Sequence, residues 1–263
     1  MRIGWQSMSS TEHAVGYWPS LRQQLEAAGN PDTEVSVYGT RVGIIDQHRF
    51  FEFLDTTSVL ANALKAEKEG FDAFVIGNFL DPGLREIRGM VDIPVLALGE
   101  TCMYAACLMG GKFSLILVNQ FFGPRIHENV QRYGLEKRLA GFGQIPFDPH
   151  QIDRAFREEA EKDRLIAEFT ATARDTIAAG AEVVIPAGGR LISFLDWAGL
   201  RSIDGVPILN GITVTLKMAE AAVQIRRLTG VFTSRHGLYA LPPADLVEKA
   251  RDAYRTTYNI PDL

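Results

Sequence analysis

The sequence predicts an α/β protein made of two pseudosymmetric lobes, each with a mainly parallel sheet flanked by helices, and an active-site cleft between the lobes. One strand-like segment occurs twice: Gly70–Asn78 (GFDAFVIGN) has a counterpart in Gly180–Gly188 (GAEVVIPAG). Strand-like and helix-like stretches alternate along the chain, which is typical of parallel strands joined by crossover helices. The apolar runs of Asp72–Gly77 and Phe113–Val118 are nearly continuous, as expected of strands buried on both faces.

Local signals predict the individual elements in chain order. Strands are predicted at Arg2–Gln6, Glu34–Tyr38, Asp72–Gly77, Val95–Leu98 and Phe113–Val118. Helices are predicted up to Ala28 and over residues 55–69, 154–179, 213–228 and 244–257. Glycine ends a helix at little conformational cost, and three of these helices are followed by Gly29, Gly70 and Gly230. Pro242-Pro243 precedes the last helix, where proline is well tolerated.

A proline-led apolar strand follows each copy of the duplicated segment, at Ile93–Leu96 and Val206–Leu209. One strand–helix–strand unit therefore occurs twice. We assign residues 1–99 and 212–263 to the first lobe and residues 100–211 to the second. Ligands of parallel sheets bind beyond the carboxyl ends of the strands. The duplicated strands end at Asn78 and Gly188, so we expect these two residues on opposite walls of one cleft.

Composition limits the classes of function. The chain has 263 residues, 46% of them hydrophobic, and its net charge of −5 gives no reason to expect a nucleic acid partner. No apolar run approaches the ~20 residues of a membrane span, and the chain begins with a strand pattern rather than a signal peptide. We expect a cytoplasmic protein with a small-molecule substrate, no membrane contact and a homo-oligomeric assembly.

The two cysteines, Cys102 and Cys107, do not make a disulfide framework. The sequence has neither a CxxC nor an HExxH pattern, so it predicts no metal site, and no cofactor is expected. Cys102 is predicted near the start of a helix, where the pKa of a thiol can fall. A small core residue is nevertheless the favoured interpretation of Cys102, and Cys107 is expected in the core as well.

Two neighbouring segments carry a family resemblance. Gly77–Leu84 (GNFLDPGL) and Val91–Glu100 (VDIPVLALGE) resemble the aspartate/glutamate/hydantoin racemase superfamily, on its hydantoin racemase side. The match extends to Phe50–Phe53 and to residues 180–220, so it covers most of the chain. The resemblance implies two pseudosymmetric α/β lobes with the active site between them. It also implies that one cysteine from each lobe serves as acid and base on opposite faces of a substrate carbon.

This chain departs from the family at both cysteine positions. Asn78 stands at the first, and the repeat register places Gly188 at the second. Neither an amide nor a glycine exchanges a proton near neutral pH, whereas a thiol does. The two-thiol racemisation that the resemblance implies is therefore not expected here.

Two residues are candidates for proton transfer in place of the thiols. His48 precedes the Phe50–Phe53 segment, and Glu100 follows the strand Val95–Leu98 at a ligand-binding edge. The alternative interpretations are a surface-loop histidine and an acid that stabilises the start of the next helix.

Several polar or glycine residues after strands are candidates for substrate binding. The amide of Asn78 is expected to anchor a carboxylate or carbonyl, and the backbone of Gly188-Gly189 is expected to form an oxyanion nest. The full predicted set is Ser7, Asn78, Thr101, Asn119, Gln120, Gly188 and Gly189. Turn formation and helix capping remain the alternatives for these residues.

The function predicted from these features is a racemase-like enzyme that acts on a small carboxylate or cyclic amide by a cysteine-independent mechanism, with isomerase-type proton transfer favoured. A hydrolase or decarboxylase on the same fold is one alternative. A non-catalytic small-molecule binding protein that kept the cleft and lost the chemistry is the other. A titratable side chain that converges with Asn78 and the Gly188 turn would favour an enzyme.

Overall fold

Two parallel sheets organise the chain in the computed structural model, which describes residues 1–9, 15–43 and 48–258. The first sheet contains β1 (Arg2–Gln6), β2 (Glu34–Tyr38), β3 (Ala73–Ile76) and β4 (Val95–Ala97). Its strands lie in the order β2-β1-β3-β4, all parallel. The second sheet contains β5 (Phe113–Leu117), β6 (Leu139–Gln144) and β7 (Val183–Pro186), in the parallel order β6-β5-β7. The predicted α/β architecture with parallel sheets is confirmed.

Helices connect and cover the strands. They are α1 (Tyr17–Ala28), α2 (Arg49–Lys68), α3 (Leu84–Arg88), α4 (Leu98–Met109), α5 (Phe122–Arg132), α6 (Pro149–Ala155), α7 (Glu159–Ala178), α8 (Gly189–Trp197), α9 (Gly211–Thr229) and α10 (Ala244–Tyr258). Short 3₁₀ turns occur at Glu136–Arg138 and Gly237–Tyr239. Within the described residues, no helix combines the length and the apolar character needed to cross a membrane.

Most predicted elements are found close to their predicted bounds. The two N-terminal strands match, and α1 ends at Ala28 with Gly29 as its cap. Gly230 ends α9 in a left-handed conformation with φ of 79°. Local signals predict these elements well because the effect of an apolar run or a helix stop depends only on residues close to it in the sequence.

Three predictions about elements are wrong. The single helix predicted over residues 154–179 is two helices, because a capping box at Asp148 starts α6 early and Glu158 adopts an extended conformation before α7. Leu98 begins α4 rather than ending a strand. In place of the predicted strand Val206–Leu209, β9 (Val206–Pro207) pairs antiparallel with β8 (Ser202–Ile203), and a single parallel bridge joins Ile208 to β7.

Strand β6 has no counterpart among the predicted strands. Its sequence LAGFGQ contains two glycines, which are depleted in strands and weaken the strand signal. A Cβ on Gly143 would lie 2.5 Å from the Thr172 side chain of α7. The glycine therefore serves the close packing of α7 on the second sheet.

Both sheets contribute to one continuous core. Buried side chains of β1, β3, β5 and β7 belong to the same cluster, which the helices α1, α4, α8 and α9 extend. Helix α9 contacts α1 and α4 as well as β3 and β4 of the first sheet. The chain thus returns to the first sheet after completing the second.

Gly77, directly after β3, lies very close to the end of β1. Its N–H donates to the carbonyl of Gln6 at 2.7 Å. A Cβ at position 77 would lie only 2.2 Å from Nε1 of the buried Trp5. A side chain at this position is therefore incompatible with the observed packing.

Asp81 joins three separate segments of the chain. Its carboxylate accepts hydrogen bonds from the N–H groups of Gly99 (2.8 Å) and Glu100 (2.7 Å), which caps the start of α4. The hydroxyl of Tyr133, just after α5, donates a third bond at 2.7 Å. Burial raises the pKa of Asp81 to about 7, because the loss of solvation outweighs the three donors.

Replacing Gly77 with alanine should lower the free energy of unfolding by about 1–3 kcal/mol, because the new methyl group would overlap the Trp5 indole. Urea unfolding measures the loss. Gly141→Ala, in β6, is the control, since no atom lies within 4 Å of the Cβ position of Gly141. Equal losses in the two variants would contradict this account of Gly77.

The contribution of Asp81 to stability should fall as the pH rises, because the folded protein holds this proton more tightly than the unfolded chain does. The contribution is complete below the ordinary pKa of 3.8 and is lost as the pH rises through about 7. Asp81→Asn, which stays neutral at every pH, should lack this part of the slope. Urea unfolding over a pH series compares the two proteins, and a constant difference between them would show that the pKa is not raised.

Candidate functional site

A small cavity of about 70 Å³ lies where the carboxyl ends of β3 and β7 meet. Its walls come from the loop after β1, the start of α1, the turn after β3, the ends of β5 and α6, and the turn between β7 and α8. The two turns nearly touch: a Cβ on Gly189 would lie 3.3 Å from the carbonyl oxygen of Gly77. The cavity therefore lies between the two sheets, at the edge where parallel sheets bind ligands.

Asn78 lines this cavity from the first sheet. Its Oδ1 accepts a hydrogen bond from the N–H of Leu80 at 2.8 Å, which makes a local turn. The side chain is half-buried. An amide so held presents a fixed polar group at the tip of β3.

Gly188 lines the same cavity from the second sheet and directly precedes α8. Its φ of 173° is extended backbone that any residue adopts, and a Cβ there would meet only Val118, at 3.7 Å. Neither conformation nor space thus requires glycine at this position. Gly189 differs, because a Cβ on it would lie 3.2 Å from the Tyr17 hydroxyl.

The start of α8 opens onto the cavity. No side chain among the described residues caps this helix, and its first three residues, Gly189, Arg190 and Leu191, all line the cavity. The first N–H groups of a helix lack partners within the helix, and the helix dipole adds partial positive charge there. The predicted Gly188-Gly189 nest therefore has the electrostatics of an anion or oxyanion site.

Tyr17 and Ser7 bring hydroxyl groups to the cavity. Tyr17 is buried, and burial raises the pKa of its hydroxyl, although Arg190 and a hydrogen bond with Ser7 act in the opposite direction. The Tyr17 hydroxyl is therefore protonated at neutral pH and can donate a hydrogen bond.

Arg190 brings a positive charge to the cavity wall. Its Nη2 donates to Oγ of Ser9 at 2.9 Å, and its guanidinium lies 5.5 Å from the centre of the Tyr17 ring. Sequence reasoning missed both Tyr17 and Arg190 as site residues. A basic residue in the first helical turn, where the dipole disfavours cations, is the signal that points to Arg190.

The structure brings together four of the seven predicted substrate-binding residues: Ser7, Asn78, Gly188 and Gly189. The other three do not line the cavity. Thr101 is buried in the first turn of α4. Asn119 accepts a bond from the N–H of Phe121 at 2.8 Å, so it shapes the turn after β5 together with Gln120.

His48 and Glu100 do not converge on Asn78 as expected. His48 is exposed, with its ring 5.1 Å from that of Phe121. Glu100 forms a two-bond ion pair with Arg88 at 3.0 and 2.5 Å. The Arg88 guanidinium thus holds the carboxylate away from the cavity, on the side of α4 that faces α3.

Glu100 instead lines a second cavity of about 550 Å³, bounded by α2, α3, α4 and α5. Two charge pairs lie on its walls, Arg49 with Glu128 and Arg125 with Glu52. Asn78 and Gly188 are not among the described residues that line this cavity.

Neither cysteine lines the cavity between the strand tips. Cys102 is buried where α4 packs on α9, and burial raises the pKa of its thiol. Cys107 lies further along α4 and is half-buried. Among the described residues, no group of three histidine, cysteine or acidic side chains is placed to hold a metal ion.

Comparisons with known proteins agree with this architecture. A model of the Asp/Glu/hydantoin racemase family matches residues 11–219. The chain is 27% identical over 210 residues to a hydantoin racemase of Pseudomonas sp. (strain NS671), covering 80% of this chain and 82% of that protein. It is 29% identical over 224 residues to a hydantoin racemase of Rhizobium meliloti, covering 82% of each.

Solved structures show the same fold. An allantoin racemase from Klebsiella pneumoniae superposes with a TM-score of 0.73 at 23% identity, over 92% of this chain and 94% of that one. An allantoin racemase from Pseudomonas fluorescens gives a TM-score of 0.74 at 19% identity, over 92% and 97%. These likenesses establish the two-lobe racemase fold, and together with the family match they show that the chain belongs to the Asp/Glu/hydantoin racemase family.

Proposed function

We propose that this chain is an isomerase-type enzyme that acts on a small carboxylate or cyclic amide in the cavity between the strand tips, by a mechanism that needs no cysteine. The observation that carries the proposal is the convergence of Tyr17, Asn78 and the open start of α8 on that cavity. A titratable hydroxyl thus lies beside two groups suited to bind a substrate oxygen.

Each group has a defined part in proton transfer next to a carbonyl. Removing such a proton, which passes to a water molecule because no described residue of the cavity is a base at neutral pH, leaves negative charge on the carbonyl oxygen. The Asn78 amide and the N–H groups at the start of α8 stabilise that oxyanion. The protonated Tyr17 hydroxyl donates to the oxyanion or returns a proton to the substrate.

A non-catalytic binding protein is the second candidate, and one observation favours it. Tyr17 and Arg190 are the ionisable side chains among the described residues that line the cavity, and neither is a base at neutral pH. A racemase needs a base to remove the proton as well as an acid to return it. Exchange of the substrate's α-proton in heavy water separates the two candidates, because a binding protein raises the melting temperature with its ligand but exchanges nothing.

Removal of both thiols should leave turnover unchanged, whereas removal of the Tyr17 hydroxyl should reduce it. Cys102→Ala combined with Cys107→Ala tests the first part. Tyr17→Phe should slow α-proton exchange by about 10²–10⁴-fold, the usual contribution of a general acid or base. Single enantiomers of small carboxylates and 5-substituted hydantoins in heavy water, followed by NMR, provide the assay. Loss of exchange in a folded cysteine-free variant would refute the cysteine-independent mechanism.

Restoring thiols at the two strand tips should create the chemistry that the native chain lacks. Asn78→Cys with Gly188→Cys should gain hydantoin α-proton exchange that a thiol-alkylating reagent abolishes, because position 188 has both the room and the backbone conformation for a side chain. Asn78→Ser with Gly188→Ser is the matched control. Thiol-sensitive exchange in the unmodified protein, or none in a folded double-cysteine variant, would count against the proposed role of these positions.

A further inference from the structure

Arg190 makes one wall of the cavity positively charged, and we propose that it selects substrates that carry a carboxylate over neutral cyclic amides. This inference rests on the proposed function for the location of the site. The proposed function leaves open whether the substrate is a carboxylate or a cyclic amide. This inference selects the carboxylate.

The Arg190 guanidinium is built into the wall rather than extended into solvent. Its side chain is only 11% exposed. Nη2 donates to Ser9, but Nη1 is fully buried and has no hydrogen-bond partner among the described residues. Nη1 is closed to the cavity and Nη2 bonds Ser9, so the guanidinium acts on a ligand through its charge. A buried cation whose charge is incompletely compensated favours a negative ligand nearby.

The nearest acid, Asp153, does not replace such a ligand. Its Oδ1 lies 3.8 Å from Nη1 of Arg190, beyond hydrogen-bond distance. That oxygen already accepts bonds from the N–H groups of Gly16 and Tyr17, both at 3.1 Å, at the start of α1. Arg157 shares the same carboxylate at 3.6 Å. Asp153 is thus committed to several donors and only partly balances the charge of Arg190.

The start of α8 adds to the positive potential at the same place. The first turn of this helix contains no acidic residue, and no side chain within the described part of the chain caps it. Helix N-termini favour anions, and Arg190 lies within that turn. The guanidinium and the open N–H groups therefore favour a negative ligand together, and the cavity of about 70 Å³ favours a small one.

A purely structural role for Arg190 is the competing explanation. The bond to Ser9 ties the loop after β1 to α8, so its loss could loosen the whole cavity. Such loosening would weaken charged and neutral ligands alike. Selection by charge weakens only the carboxylate, so the ratio of the two affinities distinguishes the roles.

Hydantoin and N-carbamoylglycine are a matched pair of probes, because opening the hydantoin ring with water gives N-carbamoylglycine and thereby a carboxylate. Calorimetric titration of the unmodified protein should show tighter binding of N-carbamoylglycine, by about 10-fold or more. Arg190→Gln should remove this preference while changing hydantoin affinity by less than about 3-fold. Arg190→Lys, which keeps the charge but not the fork, should retain part of the preference.

Two controls locate the effect. Arg174→Gln removes a positive charge from an exposed ion pair with Asp204 and should leave both affinities unchanged. Asn78→Ala should weaken both probes, since it removes a group of the cavity that is not selective for charge. Circular dichroism and thermal melting check that each variant is folded.

Each other outcome has a distinct meaning. Equal affinity for the two probes in the unmodified protein, or an equal loss of both in Arg190→Gln, overturns selection by Arg190 but leaves the proposed site intact. Failure of both probes to bind at millimolar concentration overturns both this inference and the proposed substrate classes.

Discussion

The close approach of two glycine turns is the constraint on which the site depends. Gly77 has no room for a side chain because Trp5 packs against its Cα, and Gly189 faces the carbonyl of Gly77 across the gap between the sheets. Backbone can come this close to backbone only where side chains are missing. The tips of β3 and β7 therefore share one cavity, and Asn78 and Gly188 both line it. The residues around this contact determine the charge and the hydrogen-bonding groups of the cavity.

Two helices begin near this contact, and the N–H groups at their N-termini lie in different surroundings. The start of α4 is satisfied by the Asp81 carboxylate, which also receives the Tyr133 hydroxyl. The start of α8 lies open to the cavity and receives no side-chain cap from residues 1–9, 15–43 and 48–258. Unsatisfied donors of a helix attract negative charge. The N-terminus of α4 therefore binds a carboxylate of the protein itself, whereas the N-terminus of α8 forms part of the candidate binding surface.

The two strand tips carry an amide and a glycine rather than thiols. At Gly188 the extended conformation and the free space would accept another residue. Neither existing cysteine compensates, because Cys102 is locked in the packing of α4 on α9 and Cys107 lies on the same helix away from the cavity. Family membership and two-lobe fold thus coexist with a cavity whose described walls offer hydroxyl, amide and guanidinium groups.

The sequence by itself determined six of the seven strands in the two sheets, the C-terminal ends of α1, α2 and α9, and the duplicated strand tips, because apolar runs, glycine stops and the Gly77–Leu84 motif act over a few neighbouring residues. Strand β6 escaped prediction because its glycines serve packing against a later helix. Only the tertiary structure decided that Arg88 turns Glu100 away and that Tyr17 and Arg190 meet in the cavity. Those contacts join segments far apart in the chain, and no local pattern specifies which distant side chain a charged or hydroxyl group will find.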